Sequence, residues 1–318
     1  METSGSGVST QRRPGPRNTR DCARTRAHRG ASRIRLPARG LATRASTVRG
    51  PGRGTRSVIG PGEIDHVVIV IPAHNEEDLL PRCLAALGAA IESVLAILDP
   101  VPPTVSVVIV LDRCTDGTES IAAGFPGVHL VRSDTGAVGA ARRAGVRGIL
   151  KSAGDFTGRT WIASTDADSA VPVNWLTSQL AFARNDVHLV LGTVEPDDCL
   201  DGEIRDRWAM EQRLVEGHPH VHGANLGVRA DRYLAAGEFP GIDSDEDIAL
   251  VAALRGLRVC EIRTARIPVR TSGRLVGRTP GGFAGYLRVQ AARLRVLGET
   301  EVEAIDAAGT LPGANRLA

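Results

Sequence analysis

Acidic side chains recur directly after short apolar runs in this sequence. Asp112 follows the run of residues 105–111, and Asp166 and Asp168 follow residues 160–164 with one small residue between them. Two carboxylates at this spacing can face one hard cation, and Mg²⁺ or Mn²⁺ prefers a few carboxylate oxygens together with phosphate oxygens of a substrate. Such a metal would offset the charge of a departing diphosphate. The pattern therefore indicates chemistry on a phosphorylated substrate.

A third polar segment follows the apolar run of residues 66–71, which Pro72 is expected to end. It contains Asn75 and Glu76. Because an Asn followed by acids is typical of a helix N-terminus, we predict a helix over residues 76–98 with Asn75 as its cap. Acids after a strand often only cap a helix or form a turn. Capping or turn formation would account for any one of the acidic segments, but it does not explain why three strands are each followed by acids.

The apolar runs alternate with helical patterns, and this alternation predicts the fold class. Unbroken β-branched runs are typical of strands buried on both faces of a parallel sheet. We therefore predict an α/β domain with an open, mostly parallel, twisted sheet and helices on both faces. Ligands of such sheets bind beyond the carboxyl ends of the strands, where the three acidic segments lie. Strands are predicted at 66–71, 105–111, 128–131, 160–164 and 189–194, and helices at 76–98, 118–125, 137–150, 174–183, 203–215, 245–254 and 281–297. Beyond residue 194 we expect mainly loops and helices.

Composition separates the N-terminal region from the rest of the chain. Of the 318 residues, 42% are hydrophobic and 24% are charged, as in globular proteins. Residues 1–60 carry 14 Arg, two acids and no aromatic residue, which predicts a disordered extension. This extension is either an Arg-rich arm or the translation of a mis-assigned start. Its evenly spread Arg without aromatic residues argues against nucleic-acid binding.

The sequence lacks the motifs of several other classes of protein. The first strand is followed by Pro-Ala-His-Asn-Glu rather than by a glycine-rich dinucleotide or Walker loop. The Gly-x-Ser-x-Gly elbow of serine hydrolases is missing too. Every apolar stretch of about 18 residues contains a charge or a turn residue, so no membrane-spanning helix is expected. The five cysteines are widely spaced and include no Cys-x-x-Cys, which favours a reduced, cytoplasmic setting.

From about residue 66 to residue 290 the chain resembles the family 2 glycosyltransferases, inverting enzymes of GT-A fold that use nucleotide-diphosphate sugars. Five segments match in order, and they start at Pro72, at Asp112, at Gly136 with Ala141-Arg142, at Asp166, and at Gly223-Ala224-Asn225 with Glu246-Asp247. The chain departs from the family where Leu111 and Arg113 flank Asp112. It also has no His after His222 to act as a late metal ligand.

The resemblance implies which residues bind each substrate. Those implied for the nucleotide-sugar donor are Pro72, Asn75, Glu76, Asp112, Arg142 and Asp166. Those implied for the acceptor are Gly223, Asn225 and Glu246. Asp168 and Asp166 would hold Mg²⁺ or Mn²⁺, and Asp247 would be the catalytic base with Glu246 as second candidate. The corresponding halves of one domain are residues 64–195 for the donor and residues 196–300 for the acceptor, followed by a tail over residues 301–318.

The expected partners are a nucleotide-diphosphate sugar and an acceptor hydroxyl, without nucleic acid. The amphipathic pattern of residues 281–297, with Arg288 and Arg293 on its polar side, has two interpretations. Either it packs on the core, or it touches anionic lipid carrying a lipid-linked acceptor, which would bring a cytoplasmic protein to the inner face of the membrane.

Two other functions compete with glycosyl transfer. A non-catalytic, regulatory relative that binds sugar nucleotides would not need Asp166, Asp168 and Asp247, which are all present. A nucleotidyltransferase that forms sugar nucleotides would need a basic, glycine-rich loop after the first strand, whereas residues 72–77 are acidic and free of glycine.

Two further segments have open interpretations. His218, His220 and His222 alternate, so they share one face of an extended segment and either contact a substrate or bind a metal. Residues 270–278 carry three Arg among small residues. They form either a loop that closes over a diphosphate or a solvated basic loop.

Overall fold

The computed structural model of the chain describes residues 63–98, 101–153, 157–277 and 282–293. The expected N-terminal extension (residues 1–60) and C-terminal tail (residues 301–318) lie outside the described residues. The elements, in chain order, are β1 His66–Ala73, α1 Leu80–Ile97, β2 Thr104–Asp112, α2 Thr118–Ala123, β3 Val128–Ser133, α3 Val138–Ala153, β4 Thr160–Ser164, α4 Trp175–Arg184, β5 Leu189–Pro196, α5 Gly202–Glu211, β6 Leu226–Arg229, α6 Ala230–Ala235, α7 Glu246–Gly256 and β7 Glu261–Thr271. Residues 283–293 are also helical, and we call them α8.

The strands form one seven-stranded sheet in the order β3-β2-β1-β4-β6-β5-β7. Strands β1 to β4 are mutually parallel, and β6 runs antiparallel to both β4 and β5. The predicted open, mostly parallel α/β sheet is confirmed. The expectation of mainly loops and helices after residue 194 holds for most of that region, but it omitted strands β6 and β7. The edge strand β7 escaped prediction because Arg263, Arg266 and Arg270 interrupt its apolar pattern.

Pro72 does not end β1, which continues to Ala73 in register with β2. The Val70 carbonyl accepts a hydrogen bond from Thr165 N on the β4 side. Backbone groups of successive strand residues point to opposite sides, so residues 70 and 72 direct theirs to the same side, that of β4. The N–H group that Pro72 lacks would therefore have pointed toward β4. Pairing with β4 stops at Val70, so the proline removes no hydrogen bond from the sheet.

Helix α1 begins at Leu80 rather than at residue 76, so Asn75 is not its cap. Asn75 instead adopts a left-handed conformation, with φ 53°, and its Oδ1 accepts a hydrogen bond from Thr115 N over 2.7 Å. Glu77 accepts one from Gly117 N over 2.8 Å. The neighbouring loop therefore takes the polar groups that the sequence pattern assigned to a helix N-terminus.

The core lies on both faces of the sheet, as the alternation of β1 requires. Val67, Ile69 and Ile71 belong to the cluster that contains α1, and Val68 and Val70 belong to the cluster that contains α3 and α7. Among the described residues, α1 is the one helix that is long and apolar enough to cross a membrane. One side of it is buried in the first cluster, which accounts for its apolar composition within this fold.

Helix α8 packs on the third apolar cluster. Leu287 is buried there with Leu200 and Trp208, while Arg288 and Arg293 are exposed. This arrangement matches the core-packing interpretation of the amphipathic pattern. Contact with a membrane stays a prediction.

Candidate active site

The loops that follow β1 and β2 meet at the carboxyl edge of the sheet, as the parallel topology requires. Glu76 N donates a hydrogen bond to Thr118 Oγ1 over 2.7 Å. Asp112 is buried, and its Oδ1 accepts a hydrogen bond from Gly136 N over 3.2 Å. Gly136 has a φ of 67°, a conformation that glycine adopts without strain. The carboxylate of Asp112 is thus fixed at the entrance to the loop before α3.

Arg142 of α3 joins the β4 loop to the start of α7. Its guanidinium donates to Asp166 Oδ1 over 2.5 Å and to Glu246 Oε1. The arginine side chain is 3% exposed, and its Cζ lies 5.5 Å from the centroid of the Phe239 ring. Burial raises the pKa of the Glu246 carboxyl, and the charge of Arg142 opposes that rise.

The space around Arg142 depends on Gly223. A Cβ atom at this glycine would stand 2.6 Å from Nη1 of Arg142, closer than any real contact. The family resemblance implied that Arg142 binds the nucleotide sugar and that Gly223 binds the acceptor. In the structure Arg142 pairs with the carboxylates of Asp166 and Glu246, and the lack of a side chain at Gly223 leaves room for its guanidinium. We therefore treat both as positioning residues.

Asp168 and Glu76 are joined by a second guanidinium, that of Arg274. Its Nη2 lies 2.9 Å from Asp168 Oδ2 and 3.0 Å from Glu76 Oε1, and its Nη1 lies 3.2 Å from Glu76 Oε2. The three side chains are 14%, 7% and 15% exposed for Asp168, Glu76 and Arg274. The solvated-loop interpretation of residues 270–278 is therefore wrong for Arg274.

The other oxygen of Asp168 is fixed by hydroxyl groups. Oδ1 accepts hydrogen bonds from Thr271 Oγ1 over 3.1 Å and from Ser169 Oγ over 3.2 Å. Arg82 of α1 donates to the backbone carbonyl of Asp168 over 2.6 Å. Burial raises the pKa of Asp168, Arg274 opposes this, and the charge of Asp166 adds to it. Oδ2 is thus the oxygen of Asp168 that faces a positive charge, the guanidinium of Arg274.

Asp247 lies one residue after Glu246 but in a different setting. It is half-buried, its Oδ2 accepts a hydrogen bond from Gly223 N over 2.6 Å, and its Oδ1 accepts one from Ile248 N over 2.8 Å. Each carboxylate oxygen has further lone pairs beyond these bonds. Glu246, by contrast, is buried against Arg142. Of the two, Asp247 is the better placed to take a proton.

Asn225 lies in the core rather than among the acidic side chains at the carboxyl edge of the sheet. Its Nδ2 donates to the carbonyls of Thr193 and Ile267 over 2.8 and 2.7 Å, and its Oδ1 accepts from Trp175 Nε1 over 2.9 Å. The residue has no exposed surface. The structure thus gives Asn225 a structural role, cross-linking α4, β5 and β7, and we do not carry it forward as an acceptor contact.

The three alternating histidines form a stack instead of a metal site. The ring centroids of His218 and His220 are 5.7 Å apart, and those of His220 and His222 are 5.8 Å apart. Burial lowers the pKa of all three, that of His222 to about 4. Within the part of the chain that the structure describes, no three His, Cys, Asp or Glu side chains converge on one ion position.

The donors present nevertheless fit a hard divalent cation. Mg²⁺ typically takes one or two carboxylates from the protein and fills its shell with waters and substrate phosphates. Asp168 and Asp166 supply two such carboxylates on either side of Ala167, and both already hold a positive guanidinium. Their chemistry suits a cation that arrives with a diphosphate.

Sequence reasoning missed two residues that organise the cleft. Arg82 pairs with Asp197, and Asp197 Oδ1 accepts a hydrogen bond from Gly273 N over 2.9 Å, next to Arg274. Arg82 is a charged residue among the apolar residues at the start of α1. A charge at such a position could have indicated that it has a buried partner of opposite charge. Asp197 directly follows β5, so its position carried the same signal as Asp166, but its partner Arg82 lies 115 positions away.

The fold and the cleft define a class: an α/β protein with an acidic site at the carboxyl edge of a mostly parallel sheet. The profile of the family described as Glycosyl transferase family 2 matches residues 68–231, about half of the chain. The chain therefore belongs to glycosyl transferase family 2. No curated protein matches its sequence significantly.

Among solved structures, the chain is similar to glycosyltransferases at low sequence identity. TarS from S. aureus is 16% identical, with a TM-score of 0.48 and an alignment covering 65% of this chain and 37% of TarS. The mannosyltransferase PcManGT from Pyrobaculum calidifontis, solved with GDP-Man and Mn²⁺, is 19% identical, with a TM-score of 0.46 and coverages of 72% and 61%. The chain thus spans less than two thirds of the length of either protein.

Proposed function

We propose that this chain transfers a sugar, with inversion, from a nucleotide-diphosphate donor to the hydroxyl group of an acceptor. The observation that carries the proposal is a pair of carboxylate–arginine–carboxylate bridges at the carboxyl edge of the sheet. One bridge runs from Glu76 through Arg274 to Asp168, and the other runs from Asp166 through Arg142 to Glu246. The two bridges bring together carboxylates that follow β1 and β4 and a carboxylate at the start of α7.

The donor end of the cleft is the edge formed by β1, β2 and β4. Pro72, Asn75, Glu76 and Asp112 would line the base and ribose, because they end β1 and β2 beside one another. Asp168 and Asp166 would hold Mg²⁺ or Mn²⁺. When bound, the metal would neutralise the diphosphate and so favour its departure. The metal-bound PcManGT structure is similar in fold and is consistent with this proposal.

The acceptor end is the start of α7, where Asp247 would act as the general base. Inverting transfer needs a carboxylate that takes the proton from the acceptor hydroxyl as the anomeric carbon is attacked. Asp247 takes part in neither of the two guanidinium bridges, and within the described residues no arginine pairs with it at hydrogen-bond distance. Glu246 and Arg142 would hold α7 against the β4 loop, which fixes the base relative to the donor.

Turnover of sugar nucleotides tests this proposal. The full chain would be incubated with UDP-sugars and GDP-sugars and Mn²⁺, and release of the nucleoside diphosphate would be measured with and without simple sugar acceptors. We expect release that EDTA abolishes, and a product of inverted anomeric configuration by NMR. Nucleotide binding without any turnover would instead favour the regulatory alternative.

The acceptor class and the cellular location extend this proposal. A sugar hydroxyl, free or lipid-linked, is the proposed acceptor, and nucleic acid is not a proposed partner. The exposed Arg288 and Arg293 of α8 offer positive charge to an anionic surface, in keeping with a cytoplasmic protein that works at the inner face of the membrane. Co-sedimentation with anionic vesicles, compared with neutral vesicles, tests this part separately.

A further inference from the structure

We propose that Arg274 occupies the cation position of the cleft and competes directly with the divalent metal for Asp168. The inference rests on the proposed function, since it concerns the same carboxylate. It gives Arg274, which the sequence placed in a loop that either closes over a diphosphate or is solvated, a role toward the metal. In the free protein a guanidinium, rather than a metal ion, would neutralise Asp168.

The contact between Arg274 and Asp168 uses the oxygen that a metal needs. Oδ1 of Asp168 is already engaged by two hydroxyl groups, those of Thr271 and Ser169. Oδ2 faces Nη2 of Arg274 at 2.9 Å. A cation and this guanidinium cannot both take that oxygen at close range, because two positive charges would then lie in one largely buried space.

Glu76 gives Arg274 a reason to stay in the cleft. Its two carboxylate oxygens accept from both terminal nitrogens of the guanidinium, the paired geometry that makes arginine–carboxylate contacts strong. Because Arg274 touches two carboxylates at once, losing Asp168 would leave it still paired with Glu76. The arginine can therefore give up Asp168 without becoming an unpaired buried charge.

The backbone before Arg274 is fixed, which delivers the side chain to this position. Gly273 N donates to the buried Asp197, and Asp197 is paired with Arg82. A Cβ atom at Gly273 would stand 2.6 Å from the backbone nitrogen of Leu200, so only glycine fits. The contact of Arg274 with Asp168 is thus built into the local structure and is not a chance placement of a surface side chain.

The test is direct binding of Mn²⁺ alone to the full chain, measured by the EPR signal of the free ion. If Arg274 holds the position in about nine molecules of ten, Arg274→Gln should lower the Kd for Mn²⁺ about tenfold, because the apparent affinity scales with the fraction of open sites. Arg274→Lys, which keeps the charge but cannot bridge two carboxylates, should give an intermediate Kd. It also serves as the second variant should Arg274→Gln fail to fold.

Two controls separate competition from a general change of charge. Arg266→Gln also removes one positive charge, but from an exposed side chain of β7, since Arg266 is 68% exposed. It should leave the Kd for Mn²⁺ within about twofold of the wild-type value. Adding Asp168→Asn to Arg274→Gln should abolish the gained affinity. An unchanged or raised Kd in Arg274→Gln would overturn the competition and leave the proposed metal site standing. Absence of Mn²⁺ binding in every variant would overturn both the competition and the metal dependence, while metal-free sugar transfer could still be measured.

Discussion

The backbone amide of Gly223 donates a hydrogen bond of 2.6 Å to Oδ2 of Asp247. This bond ties the first residue of the turn before β6 to the first turn of α7, 24 positions further along the chain. The same glycine leaves room for Arg142, which pairs with Glu246. One residue without a side chain thus positions both acids of the pair. Glu246 is paired with the buried Arg142, and Asp247 lies half-buried outside that pair.

Replacement of Asp247 by Asn should remove the proposed general base while preserving the shape of the side chain. We expect kcat to fall by roughly 10²–10⁴-fold, the usual contribution of general base catalysis. Nucleotide affinity in the presence of Mn²⁺ should change little, because the base does not touch the donor in the proposal. Steady-state kinetics together with equilibrium nucleotide binding measure the two effects.

Asp245→Asn is the matched control for this variant. Asp245 is exposed and has a φ of 61°, a conformation that Asn also tolerates. Its kcat should stay within about threefold of the wild-type value. Equal kcat in Asp247→Asn and wild type would show that another group takes the proton.

Asp168→Asn should abolish sugar transfer at ordinary metal concentrations. A neutral amide loses the ionic part of its contact with a hard cation, while its one oxygen can still accept the hydrogen bonds from Thr271 and Ser169. Activity is measured over a Mn²⁺ titration, with Asp206→Asn as control because Asp206 is exposed on α5. Wild-type activity that persists in excess EDTA would contradict the metal part of the proposed function.

Arg142→Met should destabilise the fold, because it leaves Glu246 as a buried charge without a partner. Breaking a buried pair in this way typically costs about 3–5 kcal/mol of the free energy of unfolding. The double variant Arg142→Met with Glu246→Gln should recover much of that loss, since no unpaired buried charge remains on Glu246. Urea denaturation monitored by circular dichroism measures all three proteins.

The control for this series is Arg132→Ala. Arg132 is 78% exposed, and its contact with Glu119 is on the surface. Such pairs contribute about 1 kcal/mol or less to stability. A loss in Arg142→Met no larger than that of the control would mean that Arg142 is not a stabilising bridge.

The histidine stack should make the protein acid-sensitive. Burial disfavours the charged imidazole and lowers the pKa of His222 to about 4. The unfolded chain takes up a proton on this ring near pH 6.5, whereas the folded chain does so only near pH 4, so the free energy of unfolding falls as the pH drops from about 6.5 to about 4. His222→Asn should reduce this slope by up to about 1.4 kcal/mol per pH unit.

Chemical denaturation at several pH values between 4 and 7 measures the slope. His129→Asn provides the comparison, because His129 is exposed and lies outside the stack. An identical slope in His222→Asn and wild type would mean that His222 titrates alike in the folded and unfolded chain.

Much of the fold was readable from local sequence. The buried β-branched runs predicted β1, β2 and β4 to within two residues at either end, because a strand covered on both faces needs apolar side chains at every position. The acids after those strands were correctly expected at one edge of the sheet, since parallel strands bring their carboxyl ends together. Family membership followed from the order of these segments.

Other features depend on contacts that no local pattern contains. Strand β6 is four residues long, and β7 is an edge strand with Arg on its exposed positions, so neither has the apolar run of a central strand. Helix α1 starts later than predicted because Asn75 accepts a hydrogen bond from a loop 40 positions away instead of capping the helix. Asn225, read as an acceptor contact, is held in the core by partners from three separate elements.

The sequence by itself thus determined which carboxylates gather at the edge of the sheet, because that depends only on strand order and polarity. The tertiary structure alone decided what each carboxylate is paired with. Glu76 meets Arg274 across 198 positions, and Arg142 meets Glu246 across 104. A buried charge must find an opposite charge wherever the folded chain supplies one, and sequence distance places no limit on that choice.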